Sequence, residues 1–368
     1  MSHPYIYVVI TLLTAAAVAF LMTPLVNKLA HRINAIDIPK DERRMHRHPI
    51  PRLGGLAIFG GFITAVFVMW LLPDILVVDW TMVRLLGGTT MIIMLGLLDD
   101  VKPLPAWPKF LVQISAALLV VLGGVEIERF SNPFIEGAYV ELGMWSIPLS
   151  VLWIVAMTNA INFIDGLDGL SVGVSSIGAM AIFIVAAMKG NWQIALLMAA
   201  LTGGALGFLP FNLHPASMFA GDTGALFLGY MLGTVSIMGL FKLTAIVSFA
   251  VPLLILALPL FDLIFSSVRR IISGKSPMAA DRNHIHHKLI DLGFSQRQSV
   301  AILYGVTAIL SIAAVVLAVG DEMRALLFLL AISAVVGAII WVVVTLSSAK
   351  KVIAEELNAQ EESAEENA

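Results

Sequence analysis

Six aspartates carry most of the chemistry written in this sequence: Asp99, Asp100, Asp165, Asp168, Asp222 and Asp262. Each lies within or at the end of a long apolar run. A carboxylate at mid-membrane depth costs about 2.5–3.5 kcal/mol on insertion scales, and less near a helix end, so each needs a reason to be there. Leu97-Leu98-Asp99-Asp100 closes one run with two adjacent acids. On a helix these point about 100° apart, so one can hold a cation while the other meets a substrate or a lysine. The stretch from Asn159 through Asn162, Asp165, Gly166 and Asp168 to Gly169 sets two amides and two acids around a glycine turn. Phe219-Ala220-Gly221-Asp222-Thr223-Gly224 opens another run with an acid at a helix N-terminus, whose free N–H groups suit phosphate oxygens. Oxygen ligands without any cysteine favour Mg²⁺ or Mn²⁺ over zinc. Magnesium takes one or two carboxylates and completes its shell with waters and phosphates. Six acids exceed that need, so some are expected to bind sugar or nucleotide hydroxyls or to hold bases in place.

Two polar loops supply the positive charge. The first, Asp41 to Gly55, contains Arg43, Arg44, His46, Arg47, His48 and Arg52. It reads either as an anchor on anionic lipid or as a phosphate grip beside the acids. The second contains Asp281-Arg282-Asn283-His284-Ile285-His286-His287-Lys288. Zinc is disfavoured there because no thiolate or loop carboxylate array completes a site. A phosphate-facing loop, with imidazole and Arg282 donors, is the expectation. Pro252 and Pro259 interrupt the preceding apolar run and are expected to bend it and carry this loop over the acids.

The elements that position these residues follow from composition. Of 368 residues, 59 % are hydrophobic and 13 % charged, with net charge −3 and no cysteine; mean hydropathy is +0.93. Soluble domains average about 45–50 % apolar and about 25 % charged. The difference excludes a water-soluble enzyme, a nucleic-acid binder and a disordered chain. Eleven apolar runs of spanning length are expected to form an all-α, polytopic membrane fold. They cover 5–27, 53–73, 82–98, 107–125, 146–163, 168–188, 192–211, 221–240, 244–268, 299–319 and 323–347. The first lacks a basic leader and a cleavage site and reads as a retained helix. Of the 22 lysines and arginines, 17 fall in one set of loops and 5 in the other. The positive-inside rule puts the richer set in the cytoplasm, with the N-terminus outside and the C-terminus inside. All six acids then lie at cytoplasmic helix ends, as one anionic pocket. Residues 1–348 are expected to form one membrane domain, and 349–368 a disordered acidic tail. A cation-coupled transporter would place its acids near the midplane between repeats, and neither feature is visible here.

Taken in order, Arg43-Arg44-Met45-His46 with Pro51-Arg52-Leu53-Gly54-Gly55, Leu98-Asp99-Asp100, Asn159 to Leu170, Phe219 to Gly224, Pro259-Leu260-Phe261-Asp262 and Asp281 to His287 resemble the polyprenyl-phosphate N-acetylhexosamine-1-phosphate transferases, glycosyltransferase family 4. The likeness covers about residues 20–300. Arg43-Arg44 stands where relatives often carry Arg-Lys. The resemblance implies attack of undecaprenyl phosphate on the β-phosphorus of a UDP-sugar, releasing UMP, with Mg²⁺ or Mn²⁺. It implies Asp222 as metal ligand, with Asp99 and Asp100 placing or deprotonating the lipid phosphate or sharing the metal. Asn162, Asp165 and Asp168 would border the nucleotide-sugar, and His284, His286 and His287 would touch its diphosphate or sugar. Arg282 and Asp262 join this substrate-binding set, and Lys109, Arg52 and His46 would neighbour the lipid phosphate. The His-Ile-His-His segment resembles the branch that uses UDP-GlcNAc to start teichoic-acid linkage units, O-antigen or related envelope glycans. The alternative donor is UDP-MurNAc-pentapeptide. Partners are then UDP-GlcNAc, undecaprenyl phosphate and the bilayer of a bacterial cytoplasmic membrane, with no nucleic acid and a homodimer left open. A phosphate monoester is largely ionised at neutral pH, which favours a single in-line displacement over a covalent intermediate on Asp99.

Overall fold

The structure, a computed structural model, describes residues 4–38, 48–72, 75–131, 139–239, 247–272, 274 and 284–319. The expected last span, the acidic tail, His46 and Arg282 lie outside these residues.

Apolar segments in lipid must satisfy their backbone internally, and helices do so within one segment. The chain forms α1 Pro4–Arg32, α2 Gly54–Leu71, α3 Trp80–Val101, α4 Ala106–Val121, α5 Ser146–Ile164, α6 Leu170–Met188, α7 Trp192–Asn212, α8 Gly221–Gly239, α9 Val247–Ile255, α10 Ala257–Ile272, α11 Ile285–Asp291 and α12 Gln296–Val319. Seven of the described helices are long and apolar enough to cross a membrane: α1, α2, α3, α5 with the turn before it, α6, α7 and α12. This is an all-α, polytopic membrane protein. Helix α4 has 16 residues, and α8 has 19 with Asp222 in its first turn.

Two boundaries differ from the periodicity reading. Helix α1 runs past 27 to Arg32, just before Asn34 takes a left-handed backbone with φ 56°. The run 244–268 is two helices, α9 and α10. Pro259 has no N–H to give the carbonyl of Ile255, so the ladder breaks between them, and a proline is tolerated in the first turn of α10.

Two short hairpins complete the described elements. Strand β1 (Ile36–Asp37) pairs antiparallel with β2 (Ile50–Pro51), Ile36 opposite Pro51. Strand β3 (Arg129–Ser131) pairs with β4 (Tyr139–Glu141), Arg129 opposite Glu141.

Helix α8 is the axis of the fold. It packs against α2, α3, α5, α6 and α7, and every side chain from Thr223 to Ile237 is buried. A helix apolar all round belongs in such a core. Helix α1, by contrast, presents Tyr5, Ile6, Val9, Leu13, Leu21 and Leu25 outward, a face suited to lipid. Small residues let α8 meet its neighbours backbone to backbone. A Cβ on Gly96 of α3 would stand 2.4 Å from the Thr223 Cα. That approach delivers Asp99 and Asp100, three and four residues further along α3, to the start of α8.

Candidate active site

The site is assembled at the first turn of α8. The segment after β2 pairs with the chain entering α8: Phe219 N–H donates to Pro51 O (2.8 Å), Gly54 N–H to Phe219 O (2.9 Å) and Gly55 N–H to Ala220 O (2.8 Å). Gly221 then turns the chain with φ +69°. Asp100 closes the turn from α3. Its Oδ1 accepts the Asp222 N–H at 2.8 Å, and its Oδ2 accepts the Thr223 N–H at 2.9 Å and the Thr223 hydroxyl at 2.6 Å. Arg52 Nε stands 3.9 Å from Oδ1. The N–H groups expected to be free for phosphate are therefore taken by a buried carboxylate. The reason is mutual: orphan donors at a buried helix start need an anion, and a buried anion needs donors.

Asp99 turns the other way. Its Oδ1 accepts the Leu104 N–H at 2.7 Å, and its Oδ2 is paired with Lys109 Nζ. The same ammonium lies 3.2 Å from Asp222 Oδ2. The second oxygen of Asp222, Oδ1, accepts from Asn162 Nδ2 at 2.9 Å. Three helices thus meet on Asp222: α3 through a shared lysine, α4 through that lysine itself, and α5 through an amide. The adjacent acids point apart: Asp99 meets the Lys109 ammonium and the Leu104 N–H, while Asp100 holds the first turn of α8, a backbone role not among those expected.

The donor chemistry around Lys109 fits a hard dication. Two carboxylate oxygens already converge on one positive charge, the chain has no cysteine, and magnesium asks for one or two carboxylates with waters and phosphates. Both oxygens of Asp100 already accept hydrogen bonds from the first turn of α8. Among the described residues no group of three or more His, Cys, Asp or Glu is placed to hold an ion by itself.

The C-terminal end of α5 carries the site onward. Phe163 packs tilted against His284 at 5.8 Å between ring centroids, with Arg270 5.5 Å above the Phe163 ring. His284 Nδ1 is 2.8 Å from Asp262 Oδ2 and 3.2 Å from Ser266 Oγ, and the Ile285 N–H donates to Asp262 Oδ1 at 2.9 Å. The carboxylate holds one ring nitrogen of the buried His284, the usual way of orienting an imidazole. The His286 ring stacks parallel to that of His284 at 5.6 Å, and His287 follows at 4.4 Å. Gly166 admits this pile: a Cβ there would sit 2.3 Å from His286 Nε2. Burial, with the charge of His287 adding to it, lowers the His286 imidazole to about 3. The lowered value favours the uncharged ring at neutral pH.

The remaining two acids serve the loops. Asp168 Oδ2 is 2.7 Å from His214 Nδ1 and accepts the Ala216 N–H at 3.1 Å, tying the α5–α6 turn to the α7–α8 loop. Asp165 Oδ1 accepts the Ser171 hydroxyl at 2.5 Å. Burial, aided by the charge on Asp222 and opposed by the Ser171 bond, pushes the Asp165 carboxyl from 3.8 up to about 6. A raised carboxyl binds its proton more tightly folded than unfolded, so its stability contribution falls as pH rises from 4 through 6. The penalty above pH 6 is at most about 3 kcal/mol. Asp165→Asn keeps the acceptor for Ser171 and removes the charge. It should raise the unfolding temperature in detergent at pH 8, by an increment that shrinks as pH drops below 6. An unchanged or lower midpoint at pH 8 would refute the assignment.

Each of the six acids thus has donors or a cationic partner, and Asp99 and Asp222 share Lys109. Buried carboxylates repel one another unless each is paired. Four residues of this network were not anticipated: Gln113, which pairs with Asn159, Ser171 and His214 on acids, and Ser266 on His284. Only Gln113 left a trace, as a lone amide in an apolar run, one helical turn beyond Lys109.

Comparison with known proteins identifies the family. A family profile for glycosyl transferase family 4 matches residues 82–240, which hold Asp99, Asp100, Lys109, Asn162 and Asp222. A Bacillus subtilis protein named a probable undecaprenyl-phosphate N-acetylglucosaminyl 1-phosphate transferase is 41 % identical over 312 residues, 85 % of each chain. The decaprenyl-phosphate N-acetylglucosaminephosphotransferase of Mycobacterium tuberculosis is 36 % identical over 79 % of this chain and 78 % of its own. The undecaprenyl-phosphate alpha-N-acetylglucosaminyl 1-phosphate transferase of Escherichia coli K12 is 26 % identical over 77 % of each. With a relative of that identity matched across most of both chains, and the profile lying over the helices that build the site, the chain belongs to glycosyl transferase family 4.

Proposed function

We propose that this protein transfers GlcNAc-1-phosphate from UDP-GlcNAc to undecaprenyl phosphate at the cytoplasmic face of a bacterial membrane, releasing UMP and starting an envelope glycan. The observation that carries the reading is Asp222, held between the ammonium of Lys109 and the amide of Asn162, with Asp99 on the same ammonium. An oxygen of the lipid phosphate attacks the β-phosphorus in line. The new P–O bond forms as the bond between the β-phosphorus and the bridging oxygen breaks, and UMP leaves with that electron pair. The acceptor is already ionised at neutral pH, so the step needs positioning and charge neutralisation more than a base.

Asp222 and Asp99 would hold Mg²⁺, which neutralises charge on the transferring diphosphate. Lys109 and Arg52 would meet the incoming phosphate. Asp100 is a positioning residue that fixes the start of α8. His284, oriented by Asp262, and the rings of His286 and His287 line the donor side, with Asn162, Asp165 and Asp168 framing the turn between. The loop excess of Lys and Arg supports N-terminus outside and C-terminus inside.

The relatives' printed names and the His-Ile-His-His segment support GlcNAc as the sugar. The test supplies purified protein with undecaprenyl phosphate, Mg²⁺ and either UDP-GlcNAc or UDP-MurNAc-pentapeptide. UMP release is expected only with lipid phosphate present, and with higher kcat/KM for UDP-GlcNAc. The reverse preference would move the protein to the other branch, and no UMP with either donor would end the proposal.

A further inference from the structure

Gln113 is a buried amide on an otherwise apolar stretch of α4. It touches neither Asp222 nor any of the other five acids by a hydrogen bond in this structure. Its partner is Asn159 of α5. Asn159 Nδ2 donates to Gln113 Oε1 at 2.6 Å, and Gln113 Nε2 donates back to Asn159 Oδ1 at 3.4 Å. Asn159 Nδ2 is further tied to its own helix through Val155 O at 2.8 Å. A buried amide is retained where its donors and acceptors are matched, and here the match is reciprocal.

The positions of the pair matter more than the pair itself. Gln113 lies four residues after Lys109, one helical turn along the same face of α4. Asn159 lies three residues before Asn162, likewise on the same face of α5. Lys109 and Asn162 are the two groups on opposite oxygens of Asp222: Nζ at 3.2 Å from Oδ2, and Nδ2 at 2.9 Å from Oδ1. The contacts therefore close a ring: Lys109, Asp222, Asn162, along α5 to Asn159, across to Gln113, and along α4 back to Lys109. The two helices are locked in register one turn from the carboxylate. Rotating or sliding either would move its group off Asp222.

We propose that the Gln113–Asn159 amide pair is the positioning clamp that sets Lys109 and Asn162 on the two oxygens of Asp222. Neither clamp residue needs to meet a substrate. The inference rests on the proposed reading only where rates are concerned, because the ring itself is independent of the donor and the reaction.

Gln113→Leu removes the amide at similar volume and leaves Asn159 half-paired. Two measurements test it. The first is independent of activity: acylation of Lys109 by an amine-reactive ester, without substrates and at fixed pH, followed by mass spectrometry. Lys102 and Lys189 serve as internal standards. In the parent, Lys109 is held between two carboxylates, so the variant should label there severalfold faster while the standards stay unchanged. The second is UMP release per folded protein. An ångström of misplacement in a reacting site can cost about 10²-fold, so a kcat loss of about tenfold or more is expected, with KM for the donor within about twofold. The exchanged pair, Gln113→Asn with Asn159→Gln, restores the reciprocal bond and should recover most of both parent values.

Unchanged Lys109 labelling in Gln113→Leu overturns the proposal, as does a kcat per folded protein equal to the parent's with only the unfolding temperature lowered. Failure of the exchanged pair to recover anything, when it folds as stably as the parent, also counts against it. Faster Lys109 labelling in Gln113→Leu, with no UMP released by the parent, would leave the clamp standing and reject the transferase reading instead.

Discussion

Asp222→Asn is expected to lower the transfer rate at least about 10²-fold, the order seen when one preorganised electrostatic contact is deleted from a reacting site. The substitution is nearly isosteric and can still meet the amide of Asn162. What it removes is the negative charge facing Lys109 at 3.2 Å. Lys109 would then pair with Asp99 alone, and a dication would lose one of only two carboxylates that converge there. The effect should therefore appear both in kcat and in the Mg²⁺ concentration needed for half-maximal rate. Thermal unfolding in detergent should change little, because the buried cap that Asp100 makes on the first turn of α8 survives. A rate within threefold of the parent, with the same Mg²⁺ dependence, would show that Asp222 is not the centre of the site.

Gly221→Ala is expected to fail in a different way, losing both folding stability and at least about tenfold in rate. Gly221 holds φ +69°, a backbone that costs an L-residue about 1–2 kcal/mol. Strain is the smaller part. A Cβ at this position would stand 1.8 Å from the carbonyl oxygen of Arg52 and 2.5 Å from Asp100 Oδ2. The Arg52 carbonyl cannot yield easily, since its neighbours Pro51 and Gly54 are hydrogen-bonded to Phe219. The start of α8 must move instead, and Asp222 moves with it. Gly124→Ala separates the two contributions. Gly124 has φ +89° but nothing within 4 Å of its added methyl, so that variant should show the strain alone and keep its rate within about twofold. Equal behaviour of the two variants, read from unfolding temperature and UMP release, would refute the steric argument.

These expectations concern residues that spacing identified and distances that it could not supply. The apolar runs were legible because a bilayer imposes one requirement, about 20 residues of low polarity with the backbone bonded internally, and periodic composition reports it directly. Helix ends were less so. Arg32 continues α1 by several residues, and the run containing Pro252 and Pro259 breaks into two helices, because helix ends depend on individual N–H and C=O groups that hydropathy averages over.

The sequence by itself determined the class of the protein and the inventory of its chemistry. Fifty-nine per cent apolar residues demand a membrane fold, and an aspartate at the end of an apolar run is costly enough to mark a site wherever it occurs. Which aspartate does what was decided only in three dimensions. Asp99 and Asp100 are neighbours in the chain, yet one meets Lys109 and the other caps a helix that begins more than a hundred residues later. Asp168 finds His214, and Asp262 finds His284, across gaps of 46 and 22 residues. Gln113 and Asn159 are likewise 46 apart. A side chain's cost of burial is a property of its own atoms and can be read from its type. Its partner is set by how α3, α4 and α5 pack around α8, a consequence of the whole chain's close packing that no local stretch of sequence contains.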